Sequence, residues 1–250
     1  MRYAGHKFFV KGEKGAGKTT FALSFAEYAR LVGGRVKFYD VDLHGKFKLD
    51  NLKEENKEWY DIIDRVPIGS LNSLAEDLNH HDPEKWPVVI VDSVSPLESL
   101  AIRYSDRMAA KGRKVALDLA AIARTQPTRE QRAATKRLQY AIWDSLNELV
   151  TDYTILTAWI VSLSKKNTKY ERAIPHTQFH CDGVFRLYKT PGLETFMGGG
   201  KRQQYFLDVE DIKSGQSGVR IENPSYAALI KQFPQLIKGE RGISKLEKSF

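Results

Sequence analysis

The amino-acid sequence predicts an α/β fold with a mainly parallel central sheet, flanked by helices and ending in an antiparallel hairpin. Apolar stretches typical of strands alternate along the chain with segments of helical periodicity, which favours a parallel sheet. Residues 88–91 are continuously apolar, as in a strand buried on both faces. A glycine-rich segment at 12–19 separates an apolar stretch from an amphipathic one, which predicts a strand, a loop and a helix.

The first half of the chain contains three predicted strands and two predicted helices. We expect a strand over 7–11, a helix from near residue 18 to about 32, and a stop at Gly33 and Gly34. A second strand over 35–42, a helix over 70–80 and a third strand over 86–93 follow. Residues 43–60 are ambiguous, and the short apolar stretch 61–66 has no clear assignment.

The second half is predicted to contain a helical region and three more strands. Residues 97–148 are mostly helical in pattern with a break near Pro127, and a fourth strand covers 153–161. Strands over 184–188 and 204–209 flank a glycine turn at 198–200, and a short helix runs from Pro224 to about Phe233. This order predicts one domain over 1–238, in which 97–148 is a basic helical insertion, followed by a charged tail over 239–250.

The segment 12–19 matches the phosphate-binding loop pattern G-x-x-x-x-G-K-T. Its glycines allow a turn whose backbone N–H groups point at phosphate oxygens. Lys18 then reaches the β- and γ-phosphates, the Thr19 hydroxyl holds Mg²⁺, and the following helix adds the positive end of its dipole. The pattern predicts a nucleoside triphosphatase that uses ATP and Mg²⁺. Its predicted binding residues are Gly12, Glu13, Lys14, Gly15, Ala16, Gly17, Lys18, Thr19 and Thr20.

Two acids at predicted strand ends complete the expected site. Asp92 follows the apolar run 88–91. In nucleoside triphosphatases with this loop, a carboxylate at the end of such a strand holds Mg²⁺ directly or through water. Asp40 and Asp42 share a face at period two, and Asp42 is the one expected to orient the attacking water. The alternatives are a capping role for Asp92 and a solvated strand end for Asp42.

Composition places the chain among globular proteins. Its 250 residues are 42% hydrophobic and 11% aromatic, which suits one large domain. The single cysteine, Cys181, excludes an internal disulfide, and its spacing to His176 and His180 does not support a zinc site. Without a signal peptide or an apolar run of about 20 residues, we expect no membrane association and a soluble protein of the cytoplasm, or of the host cytoplasm if viral.

The positive charge is concentrated in one stretch. The chain has a net charge of +8, and residues 101–140 contain ten Lys or Arg and three acids. Such a surface suits nucleic acid, whose phosphates are contacted mostly by Lys and Arg. A pair of ordinary solvated helices is the alternative.

These motifs resemble the RecA-type ATPase core. Residues 88–94 resemble its metal-binding strand, including the serine after Asp92, and residues 38–42 resemble the strand that carries the family's catalytic glutamate. Asp42 stands at that glutamate's position and is one methylene shorter, which bears on the hydrolysis rate more than on nucleotide binding.

Later segments extend this resemblance to the small phage and archaeal RecA-core ATPases of single-strand annealing and recombination. The segments that carry it are 155–158, 208–213 and 223–230. The resemblance spans 7–42, 86–97, 153–190 and 204–232, and leaves out the middle helical stretch.

The resemblance implies DNA contacts after the fourth strand. Trp159 occupies the place of the family's polar γ-phosphate sensor, so Ser162 or Ser164 takes over or the coupling is absent. Residues 164–172 correspond to a DNA-binding loop whose mixture of cations and an aromatic ring suits a single strand, although an ordinary surface loop is the alternative. The implied DNA-binding residues are Lys165, Lys166, Lys169, Tyr170 and Arg172.

RecA-type ATPases also complete the site with a basic residue from the next subunit. Lys213 and Arg220 follow a late strand where the family carries such groups, which stabilise charge on the transferred phosphoryl. Ordinary surface charges are the alternative. If the resemblance holds here, the protein works as a homo-oligomeric ring or filament.

Together these features predict a Mg²⁺-dependent ATPase that acts on DNA, single-stranded by expectation, in recombination, repair or replication. An AAA-type motor would show Asp-Glu where this chain has Asp92-Ser93. A small-molecule kinase would need an arginine-rich lid, for which the stretch 101–140 is a candidate. The short Asp42 side chain and the tryptophan at the sensor position leave a regulatory or packaging subunit with little turnover as an alternative function.

Overall fold

The computed structural model describes residues 5–97, 100–101, 128–163, 168–172, 181–190, 204–213 and 217–237. The strands of this part are β1 (His6–Gly12), β2 (Val36–Asp40), β3 (Ile63–Pro67), β4 (Val88–Asp92), β5 (Tyr153–Leu163), β6 (Thr168–Arg172), β7 (Gly183–Thr190), β8 (Gln204–Ile212) and β9 (Arg220–Glu222). Its helices are α1 (Lys18–Leu23), α2 (Ala26–Val32), α3 (Gly45–Glu55), α4 (Lys57–Tyr60), α5 (Leu71–Asn79), α6 (Arg129–Glu148) and α7 (Tyr226–Gln232), and a 3₁₀ turn covers Pro234–Leu236.

All the described strands belong to one sheet with the order β3-β2-β4-β5-β1-β7-β8-β9. The six strands from β3 to β7 in that order pair in parallel, whereas β8 and β9 add antiparallel strands and β6 pairs antiparallel with β5. The predicted fold class is therefore confirmed. Its consequence for function is that the ends of β1, β2, β4 and β5 meet at one edge, called here the carboxyl edge.

Two hydrophobic cores cover the two faces of the sheet. The first packs α1, α2 and α7 on one face around a cluster of aromatic rings, in which Phe25 meets Tyr153 at 5.3 Å and Tyr226 at 5.1 Å between centroids. The second packs α5 and α6 on the other face through residues such as Leu74 and Leu146. Every residue of β4 is buried, in agreement with its continuous apolar run.

The helix after the glycine loop consists of two pieces rather than the one expected. Ser24 interrupts it, because its hydroxyl donates to the Phe21 carbonyl at 2.6 Å and accepts from the Tyr226 N–H at 2.7 Å. The second piece ends as predicted at Gly33, which has a left-handed φ of 76°. Local hydrogen bonding by a serine therefore ties this helix to α7, which begins at Tyr226 with Ser225 as its cap rather than at Pro224.

Several other boundaries differ from the prediction. β2 ends at Asp40, so Asp42 lies beyond the strand. The ambiguous region 43–60 forms α3 and α4, and the unassigned stretch 61–66 contributes the parallel edge strand β3. The glycine turn at 198–200, the break near Pro127 and the tail 239–250 lie outside the described residues. In the part that is described, no helix has the length and apolar character needed to cross a membrane.

Candidate functional site

The glycine loop connects the end of β1 to the start of α1 at the carboxyl edge. Gly15 and Gly17 have φ angles of 77° and 89°, which side-chain-bearing residues rarely adopt. Gly12 is required for another reason, because a Cβ there would lie 2.5 Å from the Leu187 carbonyl oxygen of β7. The loop's shape thus depends on two left-handed glycines and one close approach between neighbouring strands.

Lys18 is buried inside this loop. Its Nζ donates to the carbonyl oxygens of Gly12 and Glu13, both at 2.9 Å. Burial lowers the pKa of Lys18, and the nearby carboxylate of Asp92 opposes that shift. The loop therefore holds the ammonium group by neutral carbonyl oxygens, which phosphate oxygens can replace as stronger, charged acceptors.

Asp92 joins the loop to the sheet. At the end of β4 its Oδ2 accepts from the Thr19 hydroxyl at 2.7 Å, and its Oδ1 accepts from the Thr157 hydroxyl on β5. Burial raises the pKa of Asp92, while the two threonine hydrogen bonds and Lys18 lower it. Three separate segments of chain thus meet at one carboxylate.

Thr157 was missed by the sequence reasoning. The available signal was a threonine in a strand whose neighbours Leu156 and Ala158 are apolar and buried. Because β5 lies beside β4, that polar side chain faces Asp92. Recognising its role requires the strand order, which the sequence alone does not give.

The chemistry of this donor set fits Mg²⁺. Thr19 and Asp92 offer a hydroxyl and a carboxylate oxygen 2.7 Å apart, and Mg²⁺ prefers oxygen ligands. The adjacent Ser93 hydroxyl is buried and has no hydrogen-bond partner within the described residues. The oxygens of Thr19 and Asp92 would hold the metal together with phosphate and water oxygens.

Asp40 and Asp42 have different environments. Asp40 is fully buried and structural, since its Oδ2 pairs with the Arg65 Nη2 at 2.6 Å and its Oδ1 accepts from the Gly45 N–H at 3.0 Å. Asp42 lies two residues beyond β2, and its Oδ1 accepts from the His44 N–H at 3.1 Å. The shared strand face expected for the two acids is therefore wrong, because the strand has ended before Asp42.

Asp42 nevertheless lies in the electrostatic field of Asp92. The backbone brings the segments together, since the Val41 N–H donates to the Asp92 carbonyl oxygen at 2.9 Å. Burial, followed by the charge of Asp92, raises the pKa of Asp42 to about 6. A carboxyl group with this pKa can accept a proton near neutral pH.

A cavity of about 460 Å³ opens from the loop toward β8 and β9. Gly17, Lys18 and Thr19 line one side, and Tyr205, Asn223 and Pro224 line the other. A Cβ on Gly17 would lie 3.3 Å from the Tyr205 ring, and the Asn223 N–H donates to the Tyr205 carbonyl at 2.9 Å. The sequence reasoning did not identify this wall, because it is brought to the loop by the antiparallel end of the sheet.

Comparison with solved structures identifies the architecture. The crystal structure of the RadB recombinase matches with a TM-score of 0.51 and 15% identity, covering 88% of this chain and 86% of that one. The chain has a RecA-like fold. No protein-family model and no curated protein sequence matches the chain. The expected RecA-type core is confirmed at the level of fold.

The RecA-like sheet places the two late cations differently relative to the loop: Lys213 lies away from it, whereas Arg220 lines a cavity of about 420 Å³ together with Glu13 of the loop. Lys213 pairs with Asp182 at 3.1 Å, beside the start of β7 and therefore opposite the carboxyl edge. Arg220 Nε lies 2.8 Å from Asp208 Oδ1, and its guanidinium lies 5.4 Å from the centre of the Tyr188 ring. Lys213 cannot reach the glycine loop of its own chain, so its expected role requires a second copy.

The segment expected to be a DNA-binding loop is partly a strand. Lys165 and Lys166 lie outside the described residues, whereas the backbone of Lys169, Tyr170 and Arg172 belongs to β6. β6 returns antiparallel along the extended end of β5, with Arg172 opposite Trp159. The loop assignment is thus wrong for 168–172, because β5 extends further than predicted and pairs with the returning chain.

Trp159 lies beside the start of the glycine loop, opposite Gly12 on β1. Its N–H donates to the Ser95 hydroxyl at 2.7 Å, which ties β5 to the segment after Asp92. This contact is made by the backbone amide of Trp159 and not by its indole. Ser164 lies outside the described residues.

Proposed function

We propose that this chain is a Mg²⁺-dependent ATP hydrolase that acts on single-stranded DNA in recombination, repair or replication. The observation that carries the proposal is the hydrogen bond between Thr19 and Asp92 beneath the loop that holds Lys18. A hydroxyl, a carboxylate and an ammonium group placed together in this way suit a metal-bound triphosphate. The RecA-like fold and the positive net charge support a DNA substrate.

Four side chains of the loop and the neighbouring strands have defined roles in this proposal. Lys18 exchanges the carbonyl oxygens of Gly12 and Glu13 for β- and γ-phosphate oxygens. Thr19 and Asp92 hold Mg²⁺, which neutralises charge on the phosphates when bound. Thr157 fixes the Asp92 carboxylate in the rotamer that faces Thr19 and is therefore a positioning residue.

Asp42 orients and deprotonates the attacking water. Its pKa of about 6 is higher than that of an ordinary aspartate and closer to the neutral pH at which a general base works best. The ionised form is present above that pKa, so in the free enzyme Asp42 is ready to act as a base only at a pH above about 6. The influence of the Asp92 charge on the pKa of Asp42 supports a position for Asp42 close to the metal and the γ-phosphate.

The nucleoside occupies the cavity between the loop and Tyr205. The Tyr205 ring offers an aromatic surface, and Asn223 offers an amide with both donors and acceptors. Asn223 has a positive φ of 49°, which asparagine tolerates better than most residues and which the backbone bond to Tyr205 holds in place. The pair would therefore recognise the base by stacking and hydrogen bonding.

Lys213 and Arg220 act from a neighbouring copy in a homo-oligomeric ring or filament. Both are exposed, and Lys213 lies at the edge opposite its own loop. A cation supplied in this way would stabilise charge on the transferred phosphoryl. Hydrolysis by an isolated monomer is accordingly expected to be slow.

A regulatory or packaging subunit with little turnover is the second candidate. Trp159 supports it, because an indole stands where a polar sensor is expected beside the loop. Asp42 supports it as well, since the carboxylate is short and lies outside the strand. Nucleotide would then act as a ligand that holds a conformation rather than as a consumed substrate.

ATP turnover with and without single-stranded DNA tests the proposal. Wild type should show DNA-stimulated turnover, whereas Lys18→Ala and Asp42→Asn should lose it. Lys53→Ala and Asp50→Asn are matched controls on the exposed surface of α3 and should retain it. Nucleotide binding without turnover in wild type would favour the regulatory subunit, and phosphate transfer to a small acceptor would favour a kinase.

A further inference from the structure

The amino-terminal half of α6 extends beyond the helical layer that holds its other half. Leu138, Ile142, Leu146 and Leu149 pack against the second core at the end of the helix. Residues 128–137 are exposed at every position whose side chain is described. Because α6 has 20 residues and the neighbouring α5 has 9, α6 is longer by about 16 Å.

The projecting half points toward the carboxyl edge of the sheet. The other end of α6 lies at the opposite edge, because the Asn147 carbonyl accepts from Lys7 Nζ at the start of β1. α6 also ends shortly before Tyr153 begins β5. A helix that packs along the strands from that end must direct its first turns to the edge that carries Thr19 and Asp92.

Cations line one side of the projecting half. At 100° per residue, Arg129, Arg132, Lys136 and Arg137 fall within an arc of about 140°. Tyr140 lies inside the same arc and is 55% exposed. Of the described residues, none forms an ion pair with Arg129, Lys136 or Arg137.

We propose that this face of α6 binds the phosphate backbone of single-stranded DNA. The inference rests on the proposed DNA-dependent function and assigns a contact surface to residues other than 164–172. Arg129, Arg132 and Lys136 are three and four residues apart, which places them about 5 Å apart along the helix and complements a chain of phosphates, and Arg137 adds a fourth cation beside Lys136. The exposed ring of Tyr140 offers a stacking surface for an unpaired base.

A charge-matched pair of triple variants tests the assignment in the full-length chain. The test variant is Arg129→Ala with Lys136→Ala and Arg137→Ala. The control removes three exposed lysines elsewhere, as Lys57→Ala with Lys85→Ala and Lys231→Ala. The measurement is fluorescence anisotropy of an oligothymidylate of about 30 nucleotides, titrated at several salt concentrations with Mg²⁺ and a non-hydrolysable ATP analogue.

The test variant should bind the oligonucleotide about 100-fold more weakly than wild type at about 0.1 M salt. Its slope of log K against log salt should be smaller in magnitude by about 2, since the variant loses three phosphate contacts and each contributes about 0.7 on a single strand. The control should match wild type. Tyr140→Ala should also weaken binding, and Tyr140→Phe should restore it. Thermal melting and DNA-independent ATP turnover should not change in any of these variants, because the altered side chains are solvent-exposed.

Equal affinity and equal slope for the two triple variants, with wild type bound, would overturn this inference and leave the proposed function standing. Failure of wild type to bind the oligonucleotide would overturn the DNA-dependent function as well. Competition by poly-glutamate as strong as that by unlabelled oligothymidylate would show a surface for acidic protein and would overturn the nucleic-acid assignment.

Discussion

Replacing Thr157 by valine should weaken both the fold and the metal site. The hydroxyl of Thr157 is completely buried and donates to Asp92, whose exposure is 5%. Valine keeps the shape and removes the hydrogen bond, which contributes about 1.5–3 kcal/mol when the partner is charged. We take about 2 kcal/mol, because Thr19 still donates to Asp92. For a chain of this size, that loss lowers Tm by about 4–8 °C.

Thr154→Val is the matched control on the same strand. Thr154 is 1% exposed, and its hydroxyl has no hydrogen-bond partner in the described part of the chain. Removing an unsatisfied buried hydroxyl should leave Tm unchanged or raise it. The assay is thermal melting by circular dichroism, followed by the Mg²⁺ dependence of turnover. Thr157→Val should need more Mg²⁺ because the pKa of Asp92 rises, and Thr157→Ser should recover. Equal Tm values for the two valine variants would refute the reasoning.

Four further predictions concern the loop and its surroundings. The value of kcat/KM for ATP should fall as pH drops through about 6, the pKa to which burial and Asp92 raise Asp42 in the free enzyme, whereas bound metal should move the fall in kcat to lower pH. Because the pKa of Asp42 is higher in the folded than in the unfolded chain, ionisation of Asp42 destabilises the fold as pH rises. Asp42→Asn should therefore have a higher Tm than wild type at pH above about 6, and the difference in Tm should disappear toward pH 4. Gly12→Ala should lower Tm, because its Cβ would lie 2.5 Å from the Leu187 carbonyl oxygen, whereas Gly69→Ala, with open space around it, should not. Tyr205→Ala should weaken binding of a fluorescent ATP analogue and Tyr205→Phe should preserve it, and equal affinities would argue against the proposed base-binding surface.

Local sequence patterns predict the parts of this protein whose structure is set locally. The apolar run 88–91 requires burial on both faces, and β4 is buried throughout. Gly33 ends its helix as predicted, because the left-handed conformation it adopts favours glycine. Sequence also predicts that Thr19 and Asp92 belong to one site, since a loop of this pattern implies a partner carboxylate at the end of another strand.

Features that depend on strand register and strand order cannot be predicted from local sequence patterns. Asp40 and Asp42 look equivalent in sequence, and only the end of β2 at Asp40 shows that one is buried beside Arg65 and the other lies beyond the strand. Thr157 is an ordinary strand residue until β5 is placed beside β4. Tyr205 reaches the glycine loop because β8 returns antiparallel to β7, a pairing between distant segments.

The charges of the site explain why metal and nucleotide should bind together. The charge of Asp92 disfavours ionisation of Asp42, and burial disfavours the charged form of Lys18. A triphosphate alone would add negative charge beside two carboxylates that already repel each other. A divalent cation held by Thr19 and Asp92 would reverse that repulsion, lower the pKa of both acids and keep Asp42 ionised as the base. In the proposed reaction the metal would prepare Asp42 as the general base as well as position the phosphates, and this would couple the roles of the two carboxylates.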